Sequence, residues 1–341
     1  MNNIKYVIDV SGFSFSGKSS VTDLLSGQFG VKAFDRELEF DLLRAPGGLL
    51  DLRKAICAKN WSPVRSSEAI RRFKRLTYLM GGRRSITDRL LRSGNNYDLY
   101  FPRFTKLSNE FVSKLIIASW MGPWPYYLYS SSSAYNLYAK LRDKFYWPVH
   151  NEIYLSRVED SYFQKCCAEY LNELFSVSSK SDSSIVLLSN AFECFNPKYS
   201  MELVTNAKSI VVDRDPRDIY LSAYSQAKNS KSQVGRSVIG SSVHDYILRY
   251  KTFRDSVVQN ESDVLRLSFE DVIQKTRSVI SDIETYLDIP EFSINLEHSN
   301  LCLDSSRKNI ELWKNPISKN LKLDVQIIES ELITSHQASP I

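Results

Sequence analysis

A short segment near the start of the chain, residues 12–20, constrains the possible folds more than any other part of the sequence. It reads GFSFSGKSS and matches the pattern GxxxxGK[ST]. The apolar, β-branched residues 6–10 precede it and predict a strand, and residues 19–25 predict a helix. In this context successive backbone N–H groups turn inward, and the helix N-terminus adds partial positive charge. The sequence therefore predicts a phosphate-binding loop. Its predicted nucleotide-binding residues are Ser14, Phe15, Ser16, Gly17, Lys18, Ser19 and Ser20.

Short aliphatic runs return in the second half of the chain. They lie at residues 184–188, 209–212 and 264–267, after a shorter candidate strand at 32–34. Continuous apolar runs of this length are typical of central strands in a parallel sheet. The helices predicted after them lie at residues 199–206, 216–227 and 269–287. We therefore predict an α/β fold, a P-loop-type parallel β-sheet flanked by helices, with a largely helical insertion. The prediction is one domain over residues 1–335, in which an insertion at 45–180 forms the acceptor side.

Charge and composition narrow the possible partners. The 341 residues carry a net charge of +5, but residues 51–92 alone hold twelve Lys or Arg residues against three acids. Such a stretch attracts anions, although a solvated amphipathic helix around residues 68–80 also explains it.

We find no signal peptide and no apolar run long enough to span a membrane. The five cysteines are scattered and suit reduced thiols. We expect a cytoplasmic protein with no nucleic-acid partner.

A second motif, VVDRDPRD at residues 211–218, follows a predicted strand and leads into a helix. It resembles the second signature of the nucleotide-dependent sulfotransferases, in which a serine stands eight positions after the first arginine. Here those residues are Arg214 and Ser222. In that family both hold the 3′-phosphate of 3′-phosphoadenosine 5′-phosphosulfate (PAPS). The resemblance thus implies PAPS as the donor, and a guanidinium suits the task because it forks onto phosphate oxygens.

Two further segments agree with this resemblance. Residues 264–272, VLRLSFEDV, are similar to the family's strand-to-helix junction, with Phe269 in place of the usual tyrosine. Residues 306–314 are similar to the basic segment that covers the 3′-phosphate, which implies that Arg307 and Lys308 bind it. The resemblance covers the first thirty or so residues and about 184–316, and the middle of the chain does not align.

The loop departs from the family pattern, which leaves other functions open. Family members place the basic residue before the glycine, whereas here Lys18 follows it, as in kinases. We infer that Lys18 supplies the missing cation at the donor's bridging oxygen. Asp213, at the end of an aliphatic run, also fits the magnesium-binding carboxylate of a kinase. An ATP-dependent kinase that uses Lys18 and Asp213 is therefore one alternative, and a nucleotide-binding module without catalysis is another. A sulfotransferase needs no metal.

The catalytic base is either a histidine or a glutamate in this family. The segment that matches the histidine version, residues 189–194, holds no histidine but contains Glu193. The segment that matches the glutamate version, residues 34–40, has three acids next to apolar residues, and the alternative role of each is to cap or solvate a helix. We favour, in order, Glu37, Glu39, Asp35 and Glu193.

The middle of the chain is expected to bind the acceptor, a hydroxyl or amine. A carbohydrate or glycolipid is the candidate, because aromatic side chains stack on sugar rings, although dense aromatic residues are more often core. Those aromatic residues are Trp120, Trp124, Tyr126, Tyr127, Tyr146 and Trp147. The identity of the acceptor and the oligomeric state stay open.

Overall fold

A computed structural model gives the structure of the protein. It describes residues 4–35, 38–82, 96–122, 137–138, 140–141, 144, 151–178, 183–229, 233–258, 263–315 and 318–333. The chain divides into two compact units, and the first combines Met1–Arg44 with Phe175–Ile341. The second unit is Ala45–Leu174. The predicted single domain and the insertion bounds of 45–180 stay predictions.

The elements alternate between strands and helices along much of the chain. In the first half they are β1 (Tyr6–Gly12), α1 (Lys18–Ser26), β2 (Val31–Lys32), α2 (Leu49–Ile56), α3 (Pro63–Gly81), α4 (Tyr97–Tyr100), α5 (Phe104–Leu115), β3 (Ala118–Met121), β4 (Glu152–Leu155) and α6 (Asp160–Ser178). In the second half they are β5 (Ile185–Ser189), α7 (Pro197–Met201), β6 (Ala207–Asp213), α8 (Pro216–Asn229), α9 (Val234–Ile239), α10 (Val243–Asp255), β7 (Val264–Ser268), α11 (Phe269–Gln274), α12 (Thr276–Leu287), α13 (Leu303–Arg307) and α14 (Lys319–Ile328). Two 3₁₀ turns lie at Leu296–His298 and Leu312–Lys314, and a π-helical turn, Glu329–Ile333, follows α14.

The first unit is built around a five-stranded parallel sheet with the strand order β2-β5-β1-β6-β7. Val10 of β1 lies opposite Ser189 of β5 and Ile210 of β6, so the three central strands end at the same edge. Buried aliphatic residues of these strands pack against α1, α11 and α12. The predicted fold class, a parallel sheet flanked by helices, is confirmed. The register brings the phosphate loop, the residues after β5 and the residues after β6 to one edge of the sheet.

Two predicted helices have other bounds in the structure. The helix predicted at 199–206 is Pro197–Met201, because Asn196 caps it from the front and residues 202–206 form turns that end at Asn206, whose φ is 49°. The helix predicted at 269–287 is two helices, since Lys275 has φ −120° and ψ 38° and breaks the helical backbone.

The second unit is mainly helical, as the pattern predicts. The amphipathic helix predicted around residues 68–80 is confirmed as part of α3, whose Ile70, Phe73 and Met80 are buried. Arg53 of α2 donates to Asp160 of α6 through Nε at 2.7 Å and Nη2 at 2.6 Å, which ties these helices together. The antiparallel pair β3–β4 does not follow from the sequence pattern, because every residue of β3 is exposed. No helix in the described part of the chain is long and apolar enough to cross a membrane.

Asp9 in the middle of β1 fixes the backbone that follows β5. Its carboxylate is fully buried and accepts hydrogen bonds from the backbone N–H groups of Ala191 at 2.7 Å and Phe192 at 3.2 Å. Ser11 also donates to it. Burial raises the pKa of Asp9 to about 6, although these hydrogen bonds oppose the rise. The Asp9 carboxylate therefore holds the loop after β5 to the central strand, in addition to the backbone hydrogen bonds of the sheet.

Candidate active site

The phosphate loop connects β1 to α1 and depends on a glycine at position 17. Gly17 has φ 85°, a left-handed conformation that side chains disfavour, and a Cβ there would lie 2.3 Å from the ring of Phe269. Phe15 also has a positive φ, of 66°. Ser16 is fully buried, and its Oγ has no hydrogen-bond partner among the described residues. A hydroxyl left without a partner inside a loop of this kind suits a bound anion.

Arg214 joins three separate parts of the first unit. It follows β6 and is 7% exposed. Its Nη1 donates to the Phe15 carbonyl at 2.9 Å and to the Ser222 hydroxyl at 3.0 Å, and its Nη2 donates to the Asn309 carbonyl at 2.5 Å. The guanidinium also lies over the ring of Phe269, 5.1 Å from its centre. Arg214 and Ser222, to which the family resemblance gives the 3′-phosphate, are thus in contact with each other, and Arg214 also contacts the phosphate loop.

The charge of Arg214 is not cancelled by a contacting carboxylate. Within the described residues, the hydrogen-bond acceptors of Arg214 are two carbonyls and a hydroxyl, and its Nε is buried without a partner. Burial lowers the pKa of Arg214, and Asp218 and Glu270 oppose this from a distance. A buried cation of this kind is an anion-binding group.

Two other charged residues of the second motif, Arg217 and Asp218, contact residues 311–313. The Asp218 carboxylate accepts hydrogen bonds from the N–H groups of Glu311 at 2.8 Å and Trp313 at 3.2 Å. Burial raises the pKa of Asp218 to about 6, although Arg214 opposes it. The Arg217 guanidinium lies 3.7 Å from the centre of the Trp313 ring. Arg217 and Asp218 therefore anchor the residues that follow Asn309. The sequence does not predict these contacts because the partners are far apart along the chain.

Arg307 and Lys308 stand at the surface just before Asn309. Arg307 pairs with Asp304 at 3.2 Å, with both side chains largely exposed, and Lys308 is exposed. The structure thus brings the backbone of this segment to Arg214 but does not bring these two side chains to it. Their proposed role at the 3′-phosphate stays a prediction.

Lys18 and Glu39 form an ion pair with a Nζ–Oε1 distance of 3.0 Å. Arg44 donates through Nη2 to Glu39 Oε2 at 2.9 Å and to Asp41 Oδ1 at 2.8 Å. The Asn190 side chain also hydrogen-bonds Glu39. Burial would raise the pKa of Glu39, but Lys18, Asn190 and Arg44 together lower it below its usual value. Arg44 and Asn190 are members of this cluster that sequence reasoning missed.

The other candidate bases are Glu37, Asp35 and Glu193. Glu37, which the sequence favours first, lies outside the described residues. Asp35 is exposed, and Glu193 is half-buried in the loop after β5. Of the four carboxylates, the structure therefore brings Glu39 to Lys18. Of the six aromatic residues named for the acceptor, only Trp120 is described, and it is 50% exposed.

Asp213, the carboxylate on which the kinase alternative depends, is paired with arginine. It accepts a hydrogen bond from the Arg214 N–H at 2.9 Å and forms an ion pair with Arg254 of α10. Arg254 also lies over the ring of Phe13, 5.3 Å from its centre. Among the residues that the structure describes, no group of three or more His, Cys, Asp and Glu side chains could hold a metal ion.

A cavity of about 720 Å³ opens beside Ser222 and follows the second half of α8. Ser222 and Asn309 stand in its lining, together with Tyr224, Gln226 and Leu312. Two of the three residues that accept hydrogen bonds from Arg214 thus also border a space of the size that small-molecule ligands occupy.

Comparison with known proteins identifies one family. The model of the sulfotransferase domain matches residues 155–330, which is more than half of the chain. Among solved structures, sulfotransferase STF1 from Mycobacterium tuberculosis is 13% identical with a TM-score of 0.36, over 90% of this chain and 77% of that one. A sulfotransferase from Alicyclobacillus acidocaldarius is 14% identical with a TM-score of 0.36, over 97% of this chain and 95% of that one. No curated protein matches the chain.

Replacing Asp218 with alanine is expected to release residues 311–313. The N–H groups of Glu311 and Trp313 would lose their acceptor, at a cost of about 1–3 kcal/mol. Hydrogen exchange at these two amides should become ~10- to 100-fold faster. The matched control is Asp304→Ala, which removes only an exposed pair with Arg307 and should leave both rates unchanged. Unchanged exchange in Asp218→Ala would show that the carboxylate does not hold the segment.

Proposed function

This chain belongs to the sulfotransferase domain family, and we propose that it transfers a sulfuryl group from PAPS to a hydroxyl acceptor. The observation that carries the choice of donor is the contact of Arg214 with both the phosphate loop and Ser222. Sulfuryl transfer is the activity of the family, and the donor and acceptor are the proposed parts.

Two anion-binding positions close together support PAPS as the donor. The loop supplies the N-terminus of α1 for a 5′-phosphate, together with the Ser16 hydroxyl, which has no partner among the described residues. Arg214, whose charge no contacting carboxylate cancels among the described residues, and Ser222 form a second position that suits a 3′-phosphate. The cavity beside Ser222 leaves room for the rest of the nucleotide. ATP carries no 3′-phosphate and would leave the second position unused.

The residues near Lys18 support a mechanism in which the acceptor oxygen displaces the donor's phosphate oxygen directly at sulfur. When bound, PAPS supplies a sulfuryl group that is open to attack by an acceptor oxygen. Glu39, the second candidate base of the sequence and the one that contacts Lys18, accepts the acceptor's proton as the new oxygen–sulfur bond forms. Lys18 neutralises the charge that develops on the departing phosphate oxygen. These roles require both side chains to lie at the 5′ end of the donor, and their existing ion pair supports that.

The proposed acceptor is a carbohydrate that carries acidic groups. Its support lies in the second unit, where Arg65, Arg72 and Arg75 are exposed along one face of α3 and Trp120 is half exposed. A panel of neutral and uronic-acid oligosaccharides with radiolabelled PAPS tests this class, and labelling of the neutral sugars alone would contradict it. A cytoplasmic location stays a prediction.

The donor is tested by a thermal shift in the presence of a metal chelator. Adenosine 3′,5′-bisphosphate (PAP), the product of the donor, should raise the melting temperature by several degrees when it is well above its Kd. ADP should raise it much less because it lacks the 3′-phosphate. Stabilisation only by ATP with Mg²⁺ would contradict the proposal and favour the kinase alternative.

The base is tested by three glutamine variants. Glu39→Gln should lower turnover ~10²-fold or more and leave PAP affinity nearly intact, because only proton transfer is lost. Glu37→Gln, at the position that the sequence favours first, and Glu193→Gln, at the fourth candidate position, are measured beside it. Loss of turnover in Glu37→Gln together with normal turnover in Glu39→Gln would assign the role to Glu37.

A further inference from the structure

The position of Lys18 raises a question that its proposed role does not answer. A lysine that neutralises the departing phosphate must be free to contact it, yet in this structure its Nζ lies 3.0 Å from Glu39 Oε1. The Glu39 carboxylate therefore pairs with the same Lys18 ammonium group that the departing phosphate oxygen needs. The pair is part-exposed, with 22% of the Lys18 side chain and 37% of the Glu39 side chain accessible, so little desolvation opposes a change of partner.

Glu39 has other partners that do not depend on Lys18. Its second oxygen, Oε2, accepts a hydrogen bond from Arg44 at 2.9 Å. The same Nη2 of Arg44 also donates to Asp41 Oδ1 at 2.8 Å, and Asp41 lies three residues before Arg44 in the chain. The two cations therefore contact different oxygens of the same carboxylate, and one can leave while the other remains.

Asn190 supplies a third contact from a separate element. It follows β5, has φ 58°, and its N–H donates to the Val10 carbonyl at 3.0 Å. Its side chain hydrogen-bonds Glu39. Because Asp9 holds the next two residues, Ala191 and Phe192, the backbone that presents Asn190 is fixed from both sides.

We propose that Lys18 and Glu39 form a switchable pair: donor binding moves Lys18 from Glu39 to the donor's bridging oxygen, while Arg44 and Asn190 are positioning residues that keep the freed carboxylate in place. This inference rests on the proposed function.

The exchange couples donor binding to base strength. When Lys18 contacts the donor, Glu39 loses one of the two cations that contact it among the described residues, so the pKa of Glu39 rises and it becomes a better proton acceptor. In the described part of the chain, Arg44 and Asp41 remain as the charged groups beside Glu39 after Lys18 has moved. In the transfer, the acceptor oxygen–sulfur bond forms, its proton moves to Glu39, and the sulfur–oxygen bond to phosphate breaks. The electron pair stays on the phosphate oxygen beside Lys18.

A crystal structure of the whole chain with PAP tests the exchange at neutral pH. Lys18 Nζ should lie beyond hydrogen-bond distance of Glu39, while Arg44 and Asn190 still contact the carboxylate. If PAP fails to stabilise the protein, the proposed function fails first. If PAP is bound and Lys18 remains on Glu39, the inference alone is overturned.

The positioning residues are tested by the pH dependence of kcat with PAPS and the best acceptor of the panel. Arg44→Gln and Asn190→Gly each remove a contact that favours the ionised carboxylate, so the acid limb of kcat should move up by ~0.5 pH unit or more. Glycine at 190 retains the left-handed backbone. The control Arg277→Gln, at an exposed position of α12, should not move it. An unmoved acid limb in both variants would overturn their positioning role.

Discussion

The buried guanidinium of Arg214 is the interaction on which the rest of the site depends. It contacts the phosphate loop through the Phe15 carbonyl, α8 through Ser222 and the later segment through the Asn309 carbonyl. Hydrogen bonds from a charged donor contribute about 1.5–3 kcal/mol each, and they offset the cost of burying the charge. Because two of the three acceptors are backbone carbonyls, the arginine fixes the chain around the site and still retains its positive charge for a ligand.

The acids of the second motif allow Arg214 to keep that charge. Asp213 pairs with Arg254, and Asp215 pairs with Arg217 at 2.6 Å. Asp218 accepts two backbone N–H groups of residues 311–313. These three carboxylates are therefore engaged by partners other than the Arg214 guanidinium. The same pairing of Asp213 weakens the kinase alternative, because an arginine already neutralises the carboxylate that would bind magnesium.

Local patterns were enough to predict the phosphate loop and the strands of the parallel sheet, and the resemblance of the second motif implied the pairing of Arg214 with Ser222. A GxxxxGKS segment between an apolar strand and a helix is compatible with few other folds. Contacts between distant parts of the chain could not be predicted in this way. The ring of Phe269 against Gly17, the hold of Asp218 on Trp313 and the contact of Asn190 with Glu39 each join segments that only the folded sheet brings together. The break at Lys275 and the exposed strand β3 also carry no periodic signal.

The central claim is that Arg214 and Ser222 bind a 3′-phosphate beside the phosphate loop. Calorimetric titration with PAP and with AMP, which lacks the 3′-phosphate, measures this directly. The wild-type protein should bind PAP at least ~10-fold more tightly than AMP, as one or more charge-assisted hydrogen bonds imply. In Arg214→Ala this ratio should fall towards one, and in Ser222→Ala it should fall by less. A ratio that is unchanged in a folded Arg214→Ala variant would contradict the account.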